Sequence, residues 1–127
     1  MIYGIGTDIV IISRVEQVLQ RYGERFVSRI LCEPEIRKYR QHRKAAAFIA
    51  KRFAAKEAFS KALGTGIRAP ANWHGVWVAN LPSGKPELRY SAALGALLER
   101  RGISRSHLSL TDERDLACAT VILEHDP

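Results

Sequence analysis

Residues 44–63, KAAAFIAKRFAAKEAFSKAL, constrain the fold more than any other stretch of this chain. The run reads as one long helix, and Gly64-Thr65-Gly66 ends it, with Gly64 suited to a left-handed C′ position. At about 100° per residue, Phe48, Ala55, Phe59 and Ala62 form one apolar face, and Ala50, Phe53, Ala54 and Glu57 lie on roughly the opposite side. A helix that is apolar on opposed sides is packed on more than one side, so it is central to the fold. Glu57 is then partly buried. An unpaired buried carboxylate is costly and needs a cation. The nearest in sequence is Lys61, at i+4 in the favourable order. Two readings stand at this point: an ordinary intrahelical ion pair, or a metal site completed by a second carboxylate.

The flanking segments set the fold class. Residues 2–12, IYGIGTDIVII, read as a strand by their β-branched content. Alternation puts Ile2, Gly4, Gly6, Asp8, Val10 and Ile12 on one face, so two glycines leave room beside Asp8. Ser13 and Glu16 have the spacing of a capping box for a helix over 14–21, interrupted by Gly23. Residues 24–42 read as two short helices broken at Cys32-Glu33-Pro34, with Pro34 in a first turn. Residues 67–75 are loop. Two strands follow within 75–91, joined by a turn around Ser83-Gly84-Lys85. A helix over 92–101 closes at Gly102, and residues 106–112 and 115–124 form a terminal hairpin. Strands at the start, middle and end, with helices between and no βαβ alternation, predict an α+β fold. The expectation is one compact domain over residues 1–127, with an antiparallel sheet packed on the long central helix.

Charge narrows the partners. The net charge is +7 and it is uneven. From Arg14 to Arg68 there are 14 Lys and Arg against 5 Asp and Glu, whereas residues 69–127 hold 6 against 7. A basic segment of this kind attracts an anionic partner, or is a solvated helix face. No apolar run reaches the ~18 residues of a membrane span. The N-terminal residues lack a basic region and an apolar signal core, and Cys32 and Cys118 have no ligand spacing, so a cytoplasmic protein with free thiols is expected. The four histidines, His42, His74, His107 and His125, show no metal spacing either.

Asp8 is the natural companion of Glu57. A mid-strand Asp is disfavoured by propensity, and such violations are expected at functional sites. Its plainer alternative is a strand-end residue that caps the next segment. Two carboxylates without His or Cys suit a hard ion, Mg²⁺ or Mn²⁺, more than zinc. Lys61 and Gly64-Thr65-Gly66 then add a cation, a hydroxyl and backbone N–H groups able to meet phosphate, although Gly64-Thr65-Gly66 alone also serves as a helix stop. His42, Arg43, Lys44, Lys51 and Arg52 form a second basic group, and a cofactor with separated phosphates would span the two. GxxxxGK[ST] is absent, so this is no Walker loop.

Together, GIGTDIV at 4–10 with Arg14 following, and RFAAKEAFSKALGTGI at 52–67, resemble the two signatures of the bacterial holo-acyl-carrier-protein synthase family, the small class of 4′-phosphopantetheinyl transferases. GKPEL at 84–88 and HLSLTDERDLACATVILE at 107–124 also match in position, so the resemblance covers nearly the whole chain. It implies the 4′-phosphopantetheinyl transferase fold. It implies transfer of 4′-phosphopantetheine from coenzyme A to a serine of apo acyl carrier protein, releasing adenosine 3′,5′-bisphosphate. The residues matching the family's Mg²⁺ ligands are Asp8 and Glu57, and Lys61 matches the lysine near the coenzyme A pyrophosphate. Glu57, directly or through a water on the metal, is the candidate base for the serine, and Lys61 the group that neutralises or protonates the leaving phosphate oxygen.

The further implied residues are Arg43, Lys44, Arg52, Gly64 and Thr65 for coenzyme A, with His42 beside them. Arg14, Arg21, Arg25 and Phe26 would dock the acidic carrier protein. The family is typically homotrimeric, with active sites at subunit interfaces, and acts in the cytoplasm in fatty-acid synthesis. One departure stands out: Asp112 occupies a position where many members have His, so any role of that His does not carry over. The alternative from charge alone is a basic nucleic-acid-binding module. It leaves Asp8 and Glu57 unexplained and finds no aromatic interleaving, since Phe48, Phe53 and Phe59 read as core. A metal-dependent nuclease or phosphatase lacks further acids or His near the pair. Neither nucleic acid nor membrane is expected as a partner.

Overall fold

The computed structural model describes residues 1–127. In chain order the elements are β1 Ile2–Ile11, α1 Ile12–Tyr22, α2 Glu24–Ile30, α3 Glu33–Arg40, α4 Ala45–Leu63, β2 Val76–Asn80, β3 Pro86–Tyr90, α5 Ala92–Arg100, β4 Ile103–Glu113 and β5 Leu116–His125. The fold is α+β. All strand pairs are antiparallel, in a three-stranded sheet ordered β1-β5-β4 and a separate β2-β3 hairpin. β4 begins at Ile103, before the apolar run that marks it in sequence, because backbone pairing with β5 continues through its polar residues.

α4 is enclosed as its two apolar sides require. Twelve of its 19 residues are buried, including Phe48 and Phe59 on one side and Ala50 and Ala54 on the other. One cluster joins Phe59 and Ala62 to Ala119, Val121 and Leu123 of β5 and to the β2-β3 hairpin. The other joins Phe48, Ile49 and Ala50 to Val15 of α1 and to Val27, Ile30 and Leu31 around α2. Burying a side chain of this size stabilises by roughly 1.5–3 kcal/mol each. The close approach of β1 to α4 depends on its glycines. A Cβ on Gly6 would lie 1.9 Å from the carbonyl oxygen of Ala58, and one on Gly4 2.0 Å from that of Ala62. These glycines admit the helix backbone itself, a stronger reason for them than space beside Asp8. The C-terminus of α4 is as expected: Gly64 has φ 87° and its N–H donates to Ser60 O at 2.9 Å.

Two local expectations are corrected. α1 begins directly off β1, at Ile12, with Ile11 in the cap position and no side-chain cap. Ser13 therefore lies inside the helix and is not its N-cap. Its N–H and Oγ–H donate instead to the two carboxylate oxygens of Asp115, at 2.8 and 2.7 Å. Strand pairing carries β1 up to Ile11 opposite Leu116, which leaves no turn in which Ser13 could cap.

The second correction concerns charge. The basic segment is not wholly a solvated face, because Lys56 is fully buried. Its ammonium donates to Ile30 O at 2.6 Å, Trp73 O at 2.7 Å and Glu35 Oε1 at 2.7 Å. Glu35 also accepts from the N–H groups of Cys32 and Val78. All three ammonium protons are used, as a buried charge demands. This strut ties α2, α3, α4, the 67–75 loop and β2 together.

Candidate active site

β1 and α4 bring Asp8, Glu57 and Lys61 together. Gly4 and Gly6 hold the strand against the helix, and Asp8 continues the same inward face. Glu57 and Lys61 follow one turn apart on α4. Lys61 Nζ reaches across to Asp8 Oδ1 at 3.1 Å and to Thr7 O at 2.9 Å. The intrahelical Glu57–Lys61 pair is therefore not what occupies the lysine. Asp8 is largely shielded, with 16% of its side chain exposed, while Lys61 is 53% exposed. Glu57 is half-buried. Burial pushes its carboxyl above the ordinary glutamate range; the charge of Asp8 pushes the same way, and Lys61 partly offsets them.

The three side chains line a cleft of about 530 Å³ with Arg14, Phe26 and Phe53. Their donor chemistry fits a hard divalent cation. Two carboxylates are close enough to repel one another, they open on a cleft, and no third His, Cys, Asp or Glu joins them. Mg²⁺ uses one or two carboxylates and takes its remaining oxygens from water and phosphate, whereas zinc wants three or four protein ligands.

The other coenzyme A candidates lie apart from this cleft. Arg43 and Lys44 are exposed between α3 and α4. Arg52 is buried, its guanidinium 3.9 Å over the Phe48 ring and 3.4 Å from Asn80 Oδ1. Burial lowers its pKa, against the pull of Glu35. It lines a second cleft, about 480 Å³, with His42 and Lys51. Gly64 and Thr65 line a third, about 460 Å³, with Arg68 and Arg101. Within one chain Arg52, Lys61 and the Gly64-Thr65 pair thus lie in three separate clefts, Arg43 and Lys44 line none of them, and of these coenzyme A candidates only Lys61 meets the carboxylates.

The docking candidates are closer. Arg14 and Phe26 border the carboxylate cleft itself. Arg25 and Phe26 border an adjoining apolar groove of about 580 Å³ that Tyr22, Phe53 and Trp73 also line. Arg21 is exposed on α1, its guanidinium 5.5 Å from the Tyr22 ring.

Several features escaped the sequence reading. Phe53 lies at the edge of the core: it is partly buried against the cluster around Phe48, stacks on Trp73 with ring centroids 4.9 Å apart, and lines both the cleft and the groove. Trp73 sits in a loop, where neither strand nor helix periodicity flags it. Asp112 pairs with Lys51 at 3.3 Å, which ties the end of β4 to α4 at the second cleft. His107 is exposed on β4, where its ring pairs with Glu124 of β5.

A family model described as the 4′-phosphopantetheinyl transferase superfamily matches residues 4–121 of this chain. The chain belongs to that superfamily. Among its curated relatives, the holo-[acyl-carrier-protein] synthase of Photorhabdus laumondii is 53% identical over 123 residues, covering 97% of this chain and 98% of its own. That of Nitrosospira multiformis is 50% identical over 124 residues, covering 98% and 99%. The phosphopantetheinyl transferase fold is equally clear in solved structures. The crystal structure of the Neisseria meningitidis holo-[acyl-carrier-protein] synthase has a TM-score of 0.95 at 46% identity, over 98% of this chain and 99% of that one. The Bacillus anthracis synthase, solved in complex with CoA (3′,5′-ADP), has a TM-score of 0.84 at 37% identity, over 99% of both chains.

Proposed function

We propose that residues 1–127 work as one domain that transfers 4′-phosphopantetheine from coenzyme A to a serine of an acidic apo acyl carrier protein, releasing adenosine 3′,5′-bisphosphate. The observation that carries this reading is the meeting of Asp8, Glu57 and Lys61 in one cleft, with the basic α1–α2 surface at its rim. Coenzyme A as substrate is supported by the relative solved with it and by superfamily membership.

In this mechanism the serine hydroxyl attacks the phosphorus that carries the pantetheine arm, and the bond from that phosphorus to the bridging oxygen breaks. Glu57 accepts the serine proton as general base. Lys61 holds Asp8 in the resting cleft and is exposed enough to turn to an incoming phosphate, where it neutralises or protonates the departing oxygen. Asp8 and Glu57 would hold Mg²⁺, with Mn²⁺ an acceptable substitute. The bound cation would neutralise charge on the phosphate oxygens.

The working form in this proposal is a homotrimer with sites between subunits. The outer face of the β1-β5-β4 sheet supports it, because Ile5 and Ile9 are 60% and 66% exposed there. Arg43, Lys44 and Arg52 lie away from the carboxylate cleft of their own chain, so a neighbour's set would complete the coenzyme A site. No helix is long and apolar enough to cross a membrane. The proposed place of work is the cytoplasm, in fatty-acid synthesis, with neither nucleic acid nor membrane as partner.

The test is direct. The protein is incubated with apo acyl carrier protein, coenzyme A and Mg²⁺, and the carrier is weighed by mass spectrometry. A gain of one phosphopantetheine, lost with chelator, is expected; no gain under any condition overturns the reading. Docking has its own prediction. Charge reversal at Arg14 and Arg21 should raise the carrier-protein KM, more steeply at low salt, and leave coenzyme A binding intact, because rim charges act mainly on encounter. Equal loss of both affinities would remove these residues from the docking surface.

A further inference from the structure

Asp115 lies in the turn between β4 and β5, far in sequence from every residue assigned above, yet it holds the start of α1. Its carbonyl accepts from Ile12 N–H at 2.8 Å. Its Oδ1 accepts from Ser13 N–H and its Oδ2 from Ser13 Oγ–H. α1 has no cap of its own: Ile11 offers no side-chain acceptor, and the first turn contains no acidic residue. Asp115 therefore satisfies two backbone N–H groups that the helix leaves open, and places the only capping carboxylate at its positive end.

This clamp matters because α1 is otherwise thinly held. Val15 is its only buried residue. The helix leaves β1 without a spacer, so Asp8, Ser13 and Arg14 lie within seven residues of one another, and the angle between strand and helix sets where Arg14 stands at the rim of the carboxylate cleft and where Arg21, exposed further along α1, lies relative to it. We infer that Asp115 is a positioning residue for carrier-protein docking: by capping α1 from the β4-β5 turn, it fixes the docking helix relative to Asp8 and Glu57. The inference rests on the transfer reaction proposed above.

The sign of the effect separates positioning from plain electrostatics. Asp115 is an anion close to a surface that receives an acidic partner. If charge were its only role, Asp115→Ala would remove a repulsion and lower the carrier-protein KM. Positioning requires the reverse: a rise of about tenfold, the size of a lost cap interaction, with the coenzyme A KM moving by less than about twofold on the same scale. Asp115→Asn discriminates further. Its carbonyl oxygen still accepts from Ser13 N–H and its amide donates to Ser13 Oγ, so it should keep the carrier KM within about threefold of wild type while having lost the charge. A defect confined to stability would lower Tm without splitting the two KM values. Asp126→Ala, which removes a surface hydrogen bond to Ser104 at the far end of β4, serves as the control and should change neither KM.

A second readout does not depend on turnover. Hydrogen exchange along α1 should quicken in Asp115→Ala and stay slow in Asp115→Asn. A carrier KM that falls or holds in Asp115→Ala, a coenzyme A KM that rises in step with it, or unchanged exchange in α1 would overturn the inference while a working wild type left the transfer reaction standing. A wild-type chain that modifies no carrier would overturn both.

Discussion

Glu57→Gln is expected to lower kcat for carrier modification by about 100-fold or more, the range typical for loss of a positioned general base, while the chain stays folded. The substitution keeps size and shape but removes both the proton acceptor and a carboxylate donor to the cation. Single-turnover mass spectrometry at saturating Mg²⁺ reads the chemical step, and near-normal turnover there would remove Glu57 from the mechanism. The same variant should gain stability. A carboxyl whose folded pKa is raised disfavours the folded state once it ionises. The folded state thus suffers no penalty at pH below the ordinary glutamate value, and loses stability as pH rises towards and through the raised one. At neutral pH in chelator, Glu57→Gln should therefore melt above wild type, a trade of stability for function that a thermal scan checks. A lower Tm under those conditions would mean that Glu57 is held by favourable contacts and is not strained between burial and Asp8.

Lys56→Met should be among the most damaging substitutions in the chain, although Lys56 takes no part in the proposed chemistry. It would leave Glu35, only 1% exposed, as an unpaired buried charge, and would strip acceptors at Ile30 O and Trp73 O of their donor. Removing one partner of a buried pair costs about 3–5 kcal/mol, a large share of the ~5–15 kcal/mol that holds a typical domain together. A fall in Tm of roughly 10 °C or more is expected, measured by calorimetry or chemical denaturation. Glu35→Gln added to Lys56→Met should recover part of the loss, since the uncompensated charge is then gone. If Lys56→Met alone stayed within about 1 kcal/mol of wild type, the strut would be dispensable. The damage should also reach the site, because the carbonyl of Trp73 is one of the three acceptors of Lys56 and its ring supports Phe53 at the cleft.

The adjacent residues Lys56 and Glu57 show what can be read from a linear chain. Helical periodicity marks Glu57 as a carboxylate on an apolar stripe, and β-propensity marks Asp8 as an acid out of place in a strand. Both signals are local violations of pattern, and both residues lie together in the cleft. Lys56 passes unnoticed in a basic segment. Its burial depends on acceptors from residues 30, 35 and 73, and no local pattern encodes their approach. Lys61 lies between these cases. Its position one turn beyond Glu57 is legible, but its partner is not: the sequence favours the i+4 carboxylate, and the structure turns the ammonium towards β1, where Asp8 and the Thr7 carbonyl offer two acceptors at once.

The α1 cap repeats the lesson. Ser13 and Glu16 have the spacing of a capping box, yet strand pairing runs to Ile11 and passes the capping role to Asp115, about a hundred residues away. What the amino-acid sequence determined by itself was the secondary structure, the central place of α4, the α+β class and the carboxylate pair, because each follows from the spacing of residue types along a regular element. What only tertiary structure decided was which charges meet: Lys61 with Asp8, Lys56 with Glu35, Ser13 with Asp115. Apolar patterning specifies which face turns inward, whereas an ion pair or a hydrogen bond needs two groups within about 3 Å, and that distance exists only once the elements have packed.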